Sequence, residues 1–210
     1  MSAQHDGGQT ALEAVLAEVR RCQRCGLAKT RTKAVPGEGP ADAEIVFIGE
    51  APGFHEDQQG RPFVGPAGML LEDLLNLIGY KRNQVYIANV IKCRPPMNRD
   101  PLPTEIAACQ DYLERQLAAI EPLLIVTLGR FSMARYFPNQ SISKIHGTAR
   151  RGDGVVYYPV YHPAAALHQP SLRQALEADF RKIPRVLAEA RTAFEAVPEV
   201  DQPPEQLKLL

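Results

Sequence analysis

Several features that would assign a function class at once are missing from this 210-residue sequence. No apolar run approaches the length of a membrane-spanning helix, so we expect no membrane partner. The first nine residues lack the basic and then apolar pattern of a secretory signal, which predicts a cytoplasmic, reducing location without disulfides. No internal repeat is visible. We therefore expect a monomer with one domain over residues 1–196, followed by a flexible acidic and proline-rich tail, 197–210.

Net charge is also missing, since 24 basic residues balance 24 acidic ones. A neutral chain argues against a nucleic-acid partner, but its charges are unevenly distributed. Each end carries a net charge of −3, whereas residues 20–188 carry +6. The basic side chains cluster at 29–33, at Arg94 and Arg99, and from Lys144 to Arg151. Such clusters are usually solvated surface, so alone they are weak support for phosphate binding.

Short apolar strands alternate with amphipathic helices along the chain. Helices are predicted over 11–21, 66–79, 104–120, a short stretch after Gly129, and 171–190. Strands are predicted over 44–49, 84–91, 123–127 and 155–160. Thr104 is expected to cap its helix, and residues 50–65 to form a long loop. This order predicts the α/β class, with a parallel sheet covered by helices on both faces.

Polar residues follow three of the predicted strands. Glu50–Gly53 comes directly after the first strand, Asn89 lies near the end of the second, and His162–Ala165 follows the last. Ligands of parallel α/β sheets bind beyond the carboxyl ends of the strands. We therefore expect these three segments to converge on one rim of the sheet.

The chain has only four cysteines: Cys22, Cys25, Cys93 and Cys109. The spacing of the first two is typical of a ligand pair, and four thiolates match either a zinc ion or an iron–sulfur cluster. A C-x-x-C redox pair usually follows a strand, whereas this one follows a helix. Buried thiols without a metal are the ordinary alternative. The spacing does not choose between zinc and iron.

An ordered series of motifs resembles the family-four, thermostable-type uracil-DNA glycosylases over residues 11–190. The matching residues are Cys22-x-x-Cys25, Gly49-Glu-Ala-Pro-Gly53, Glu56-Asp57, Gly60-Arg-Pro-Phe-Val-Gly-Pro-Ala-Gly68, Asn89, Lys92-Cys-Arg-Pro-Pro96, Asn98-Arg99, Glu105 to Cys109, and His162-Pro-Ala-Ala165. The resemblance implies a three-layer α/β/α sandwich around a four-stranded parallel sheet. It also implies a 4Fe–4S cluster on the four cysteines and excision of uracil from DNA, which leaves an abasic site.

Two residues are the expected catalytic groups. Cleavage of the glycosidic bond leaves negative charge on uracil and positive charge on the sugar, so catalysis should be mainly electrostatic. His162 is expected to stabilise the charge on uracil O2, and the backbone amides of the 50–53 turn are expected to assist it. Glu50 is expected to position water or to stabilise the sugar cation. Ala51 cannot activate water, and the residue that does so is left open.

The expected uracil pocket comprises Ala51, Gly53, Glu56, Phe63, Asn89 and His162. Phe63 would stack on the base, and Asn89 would donate to O4 and accept from N3–H. By resemblance, Glu56 would crowd the methyl group of thymine. The alternatives are a core Phe, a capping or turn Asn and a solvated loop acid.

Contacts to DNA are expected outside the pocket. Leu167 is predicted to wedge into the base stack, with His168 beside it, and Arg94 and Lys144 to contact phosphates. The main competing function is a metal-stapled DNA-binding module without catalysis. An electron-transfer protein is disfavoured, because the cysteine spacing is unlike the compact runs of ferredoxins.

Overall fold

The computed structural model describes residues 2–152 and 154–195, so the predicted tail at 197–210 lies outside the described residues. The helices, numbered in chain order, are α1 (Ser2–Arg21), α2 (Phe54–Gln59), α3 (Pro66–Leu77), α4 (Pro103–Ile120), α5 (Arg130–Ala134), α6 (Ile142–Ile145), α7 (Pro163–Ala166), α8 (Pro170–Phe180) and α9 (Ile183–Glu195). The strands are β1 (Ile45–Gly49), β2 (Tyr86–Asn89), β3 (Leu124–Leu128), β4 (Arg150–Arg151) and β5 (Val156–Val160). Within these residues, no helix is long and apolar enough to cross a membrane.

The strands form one sheet in the order β2-β1-β3-β5-β4. The first four are parallel, as expected, and β4 pairs antiparallel with β5. The prediction of a four-stranded sheet was therefore wrong by one strand. Its two residues, Arg150 and Arg151, are exposed and charged, so β4 has no apolar pattern by which sequence could reveal it.

Alternate residues of each strand point to opposite faces of the sheet, and each face carries its own hydrophobic cluster. On one face, Phe47 and its strand neighbours pack with leucines of α3 and with α8 and α9. The rings of Phe47 and Phe180 stack there at 5.8 Å. On the other face, Val46 and Ile48 pack with α1 and α4. Because both faces are buried, the strands read as continuous apolar runs, which is why sequence located them well.

Two predicted boundaries were wrong for local reasons. Residues 50–65 are not all loop, because α2 forms at Phe54–Gln59. Thr104 does not cap α4, which begins at Pro103 with Leu102 as the N-cap residue. The capping acceptor is instead Glu105, whose carboxylate accepts a hydrogen bond from the Leu102 backbone N–H at 2.8 Å.

The single helix predicted over 171–190 is two helices, α8 and α9, separated at residues 181–182. Pro184 stands in the first turn of α9. A proline inside a continuous helix removes one backbone donor and clashes with the preceding turn, but it is tolerated in a first turn. The proline therefore marks the boundary between the two helices.

Candidate active site

A cavity of about 380 Å³ opens beyond the carboxyl ends of the parallel strands. All seven residues expected to bind uracil or to catalyse its release line this cavity: Glu50, Ala51, Gly53, Glu56, Phe63, Asn89 and His162. They come from the segments after β1, β2 and β5 and from the connection between α2 and α3. The expected convergence of these segments is therefore confirmed.

Gly49, the last residue of β1, makes room for two of these side chains. In the sheet register it lies opposite Asn89 on β2. A Cβ atom at Gly49 would stand 2.4 Å from Asn89 Oδ1 and 2.6 Å from Phe63 Cζ. No other residue type fits here without moving one of them, so the glycine allows the amide and the ring to share the cavity floor.

Phe63 has a backbone conformation that non-glycine residues rarely adopt, with φ at +49°. Its ring is buried and stacks on the His162 ring at 5.7 Å and 28°. Arg82 stabilises this turn, since its guanidinium donates to the Phe63 carbonyl at 2.9 Å and also to the Pro62 carbonyl. Phe63 belongs both to the core and to the cavity wall, so the two interpretations of this residue are compatible.

Asn89 is 2% exposed, and its side-chain Oδ1 has no hydrogen-bond partner among the described residues. The capping or turn interpretation gives that oxygen a donor, and the structure provides none. A buried polar atom left unpaired costs about 1–3 kcal/mol. Lys92 Nζ donates to the backbone carbonyl of Asn89 at 2.8 Å and so fixes the main chain behind the amide. The free oxygen is what a site for an N–H donor requires.

Glu56 is not the solvated loop acid of the alternative interpretation, because it is buried and saturated with backbone donors. Its Oε2 accepts from the Gly53 N–H at 3.1 Å, and its Oε1 accepts from the N–H groups of Val64 and Gly65, both at 2.9 Å. One carboxylate thus ties the turn after β1 to the turn before α3. The sequence signal for this role is an acid three residues after a helix N-cap, Gly53.

His162 is half-buried and occupies the N-cap position of α7. Its Nδ1 accepts a hydrogen bond from the Ala164 backbone N–H at 3.1 Å. Burial lowers the pKa of His162 to about 4, and the nearby Glu56 carboxylate opposes this only in part. The ring is therefore neutral at pH 7, and because Nδ1 is an acceptor, the proton resides on Nε2.

Glu50 follows β1 directly and is half-buried at the cavity wall. Burial raises the pKa of its carboxyl, the negative charge of Asp100 raises it further, and Arg130 lowers it. The Arg130 guanidinium pairs with Asp100 at 2.5 Å, which joins the segments after β2 and β3. The charged groups that shift the pKa of Glu50 are thus different from the Glu56 carboxylate that acts on His162.

Beyond Asn89, the segment after β2 was not predicted from the sequence to line the pocket. Pro95, Asn98 and Arg99 also line the cavity, together with Pro52, Ala67, Ala164 and Ala165. Arg99 is anchored by a forked pair of hydrogen bonds to the Glu105 carboxylate at 2.7 and 2.9 Å. The signal for this segment was its position beyond the carboxyl end of a parallel strand.

The residues expected to contact DNA lie outside the cavity lining. Leu167 is 38% exposed at the end of α7, and His168 is exposed beside it. Arg94 lies 5.2 Å above the Phe54 ring and donates to Asn98 Oδ1 at 2.7 Å, so it borders the cavity mouth. Lys144 is exposed on α6. Contact of these four residues with DNA stays a prediction.

The four cysteines are free thiols gathered where the C-terminal end of α1 meets α4 and the segment after β2. Burial raises the pKa of Cys109 to about 11, Lys92 opposes the shift, and Cys93 and Cys25 add to it, so these thiols lie near one another. Arg31 donates to Cys93 Sγ at 3.0 Å. Among the described residues, no group of three or more His, Cys, Asp or Glu side chains is arranged to hold a metal ion. The cluster stays a prediction.

Comparisons with known proteins agree with this geometry. The profile described as "Uracil DNA glycosylase superfamily" matches residues 36–187. The chain is 49% identical over 187 residues to the type-4 uracil-DNA glycosylase of Saccharolobus solfataricus, covering 84% of this chain and 87% of that one. It is 50% identical over 183 residues to the type-4 enzyme of Archaeoglobus fulgidus, covering 82% and 92%. Identity to the type-5 uracil-DNA glycosylase of Thermus thermophilus is 32% over 141 residues, covering 60% and 63%.

Proposed function

Because this chain belongs to the uracil-DNA glycosylase superfamily and, within it, to the type-4 uracil-DNA glycosylases, we propose that it hydrolyses the N-glycosidic bond of uracil in DNA. It is a glycosidase of DNA repair, and its product is an abasic site. The observation that carries the mechanism is one cavity lined by an aromatic ring, a buried unpaired amide oxygen and a neutral histidine. Each of these three groups has a role in holding the base or in breaking the bond.

The base is held by stacking and by its polar edge. A glycosylase takes its target nucleotide out of the base stack and encloses the base in a pocket. The Phe63 ring offers the stacking face. Asn89 Oδ1 accepts from uracil N3–H, and its amide nitrogen donates to O4. In this pairing Asn89 Oδ1 gains a donor that none of the described residues supplies.

The bond is broken by stabilising the departing base as an anion. His162 Nε2–H donates to uracil O2, where negative charge develops, and backbone N–H groups of the 50–53 turn add to this field. A neutral imidazole keeps its proton throughout, so the reaction needs no protonated histidine. Ionised Glu50 faces the positive sugar and orients the water that adds to its anomeric carbon.

Rejection of thymine is assigned to Glu56, whose carboxylate stands in the cavity wall. Three backbone N–H groups hold that carboxylate, so it cannot swing aside to admit a methyl group. Gly53 and Ala51 complete the wall and leave room for the base. The residues that hold Glu56 thereby turn a flexible side chain into a fixed boundary.

The four cysteines are proposed to hold a 4Fe–4S cluster away from the cavity. Their donor set fits such a group: four thiols gathered from distant segments, with Arg31 donating to Cys93 Sγ and Lys92 beside Cys109. The Arg31 guanidinium favours the thiolate form that metal ligation needs and would offset the charge of a ligated cluster. The cluster would cross-link α1, α4 and the segment after β2, so its contribution is to stability.

Residues outside the cavity lining are proposed to contact DNA. Arg94 and Lys144 are proposed to contact phosphates, with Leu167 as a wedge and His168 beside it. Helices on both faces of the sheet support a three-layer sandwich. A monomer and a cytoplasmic location stay part of the proposal.

The direct test is incubation of the purified protein with a uracil-containing oligonucleotide, followed by alkaline cleavage at abasic sites. We expect strand breaks only at uracil, with no release from matched thymine- or cytosine-containing strands. Iron and acid-labile sulfide should be present at about four atoms each per chain. Stoichiometric zinc with tight DNA binding and no base release would instead establish the non-catalytic DNA-binding module.

A further inference from the structure

We infer that Met97 is a second apolar side chain that contacts DNA, in addition to Leu167, and that it packs against the bases next to the uracil on the side of the cavity opposite Leu167. The inference rests on the proposed function, because it needs uracil-containing duplex DNA as the partner. Met97 is 92% exposed, the most open of the large apolar side chains that lie exposed on the described surface. Large apolar side chains left in water are informative when they border a binding site.

The exposed apolar side chains are not spread evenly. Phe54 directly follows Gly53 of the cavity wall, Met97 lies between the lining residues Pro95 and Asn98, and Leu167 follows the lining residue Ala165 by two positions. Met69 also follows a lining residue, Ala67, by two positions, so four of the six large hydrophobic side chains exposed on the described surface lie within two positions of a residue that lines the cavity. A polar substrate that merely filled the cavity would not touch them, whereas DNA presenting a flipped nucleotide would.

The sheet order separates the two segments that carry Met97 and Leu167. Met97 stands in the segment after β2, at one edge of the sheet, and Leu167 in the segment after β5, three strand positions away. Three inter-strand spacings of about 4.8 Å separate β2 from β5 by roughly 14 Å. Stacked bases repeat every 3.4 Å or so along a strand, so the two side chains reach different nucleotides. The cavity residues after β1 lie between them.

The turn that carries Met97 holds it outward. Met97 and Asn98 both have φ at +54°, a left-handed conformation that is costly for non-glycine residues and persists only where other contacts stabilise it. Here the Asn98 N–H donates to the Pro95 carbonyl at 3.0 Å, and Asn98 Oδ1 accepts from Arg94 Nε at 2.7 Å. Arg94 in turn lies over the Phe54 ring. The same turn therefore combines an apolar tip with a cation suited to the neighbouring phosphate.

The chemistry of the side chain suits this task. Methionine is unbranched and polarisable, so it adapts to the uneven face of an opened base stack. Apolar side chains inserted between base steps offset the loss of stacking when DNA is deformed. Met97 would gain this burial only when a paired duplex is opened, since a single strand has little stacking to replace.

The test compares Met97→Ala with the parent protein on uracil-containing duplex and single-stranded DNA under subsaturating conditions. We expect about a tenfold loss of excision from the duplex, which corresponds to about 1.4 kcal/mol. We expect less than a twofold change on the single strand and in inhibition by free uracil. A second measurement uses two duplexes that carry 2-aminopurine on one side or the other of a non-cleavable uridine analogue. Binding of the parent protein should raise the fluorescence of the probe, and Met97→Ala should reduce this rise on one side only. Met97→Leu should restore both readouts.

Leu77→Ala is the matched control, because Leu77 is an exposed apolar residue at the far end of α3. It should behave as the parent protein on both substrates. Unchanged duplex excision by Met97→Ala, or an equal loss on both substrates, would overturn the inference and leave the proposed function intact. Failure of the parent protein to release uracil from either substrate would instead end the proposed function.

Discussion

The cavity and the four-cysteine region satisfy their reactive groups in different ways. In the cavity, the chain itself fixes the functional side chains: Glu56 is held by three backbone donors, and Phe63 is held by Arg82. In the cysteine region, Cys93 and Cys109 are buried as free thiols whose pKa values are raised by burial. The first region is organised before any ligand arrives, whereas the second brings together four thiols from separate segments, and two of them, Cys93 and Cys109, are buried. We therefore expect the cavity to control chemistry and the cysteines to control stability.

The largest expected effect is in the cavity, at Asn89. Asn89→Asp removes the donor to uracil O4 and places a carboxylate where the base offers an acceptor. Two mispaired groups at about 1–3 kcal/mol each predict a loss of uracil excision of roughly 10²–10⁴-fold. A protonated Asp donates to cytosine N3 and accepts from its N4 amino group, so a trace of cytosine release is expected. Single-turnover cleavage of matched uracil and cytosine duplexes measures both.

Asn83→Asp is the control for that substitution. Asn83 is exposed in the 3₁₀ turn Arg82–Gln84 and does not line the cavity, so its excision rate should equal that of the parent protein. An unchanged rate in Asn89→Asp would remove Asn89 from the base-reading site. The expectation that the cavity controls chemistry would then lose its main support.

An intermediate effect is expected at Glu50, with a defined dependence on pH. The pKa of Glu50 is raised above its ordinary value of 4.5, whereas that of His162 is lowered to about 4. As the pH falls, Glu50 therefore takes up its proton before His162 does. If ionised Glu50 is required, the acid limb of the rate profile has its inflection above pH 4.5, and His162 stays neutral across it.

Glu50→Gln should lower excision by about 10²-fold and remove that acid limb, because the carboxyl proposed to cause it is replaced by an amide that does not titrate. The measurement is the single-turnover rate from pH 4.5 to 8 for both proteins, with folding checked by circular dichroism at each pH. An acid limb that persists unchanged in Glu50→Gln would assign the inflection to another group and contradict the proposed role.

The smallest effect on chemistry, and the largest on stability, is expected at Cys109. Cys109→Ala should lose iron and lower the melting temperature by roughly 10 °C. A cross-link between three segments contributes several kcal/mol to the free energy of unfolding, and about 1 kcal/mol corresponds to 2–4 °C in a chain of this size. Excision per folded molecule should change less than twofold. Thermal unfolding, iron content and active-site titration measure these quantities.

Leu113→Ala provides the matched comparison, because Leu113 is equally buried on α4, one turn beyond Cys109. It should also lower the melting temperature, through loss of packing, but retain its iron. A Cys109→Ala protein without iron and with unchanged thermal stability would show that the cysteines do not stabilise the fold. A steep loss of excision per folded molecule would end the division of labour between the two regions.

The parallel core was predictable from sequence because its strands are short apolar runs buried on both faces. The boundaries that failed depend on contacts between residues that local periodicity does not describe. The capping of α4 by Glu105 and the break before Pro184 are examples, and β4 is too short and too charged to give a signal. Five of the seven expected cavity residues, namely Glu50, Ala51, Gly53, Asn89 and His162, were predictable because parallel strands bring their carboxyl ends to one edge. Glu56 and Phe63 were expected from the family resemblance.

The sequence by itself determined seven of the residues that line the cavity and which four thiols are available to a cluster. Only the tertiary structure decided that Glu56 is a buried tie, that Asn89 Oδ1 is unpaired and that Met97 points into solvent. The physical reason is range: strand and helix patterns arise from neighbours along the chain, whereas burial and hydrogen-bond satisfaction depend on segments far apart in sequence. Arg82 and Phe63, 19 positions apart, meet only after the chain has folded.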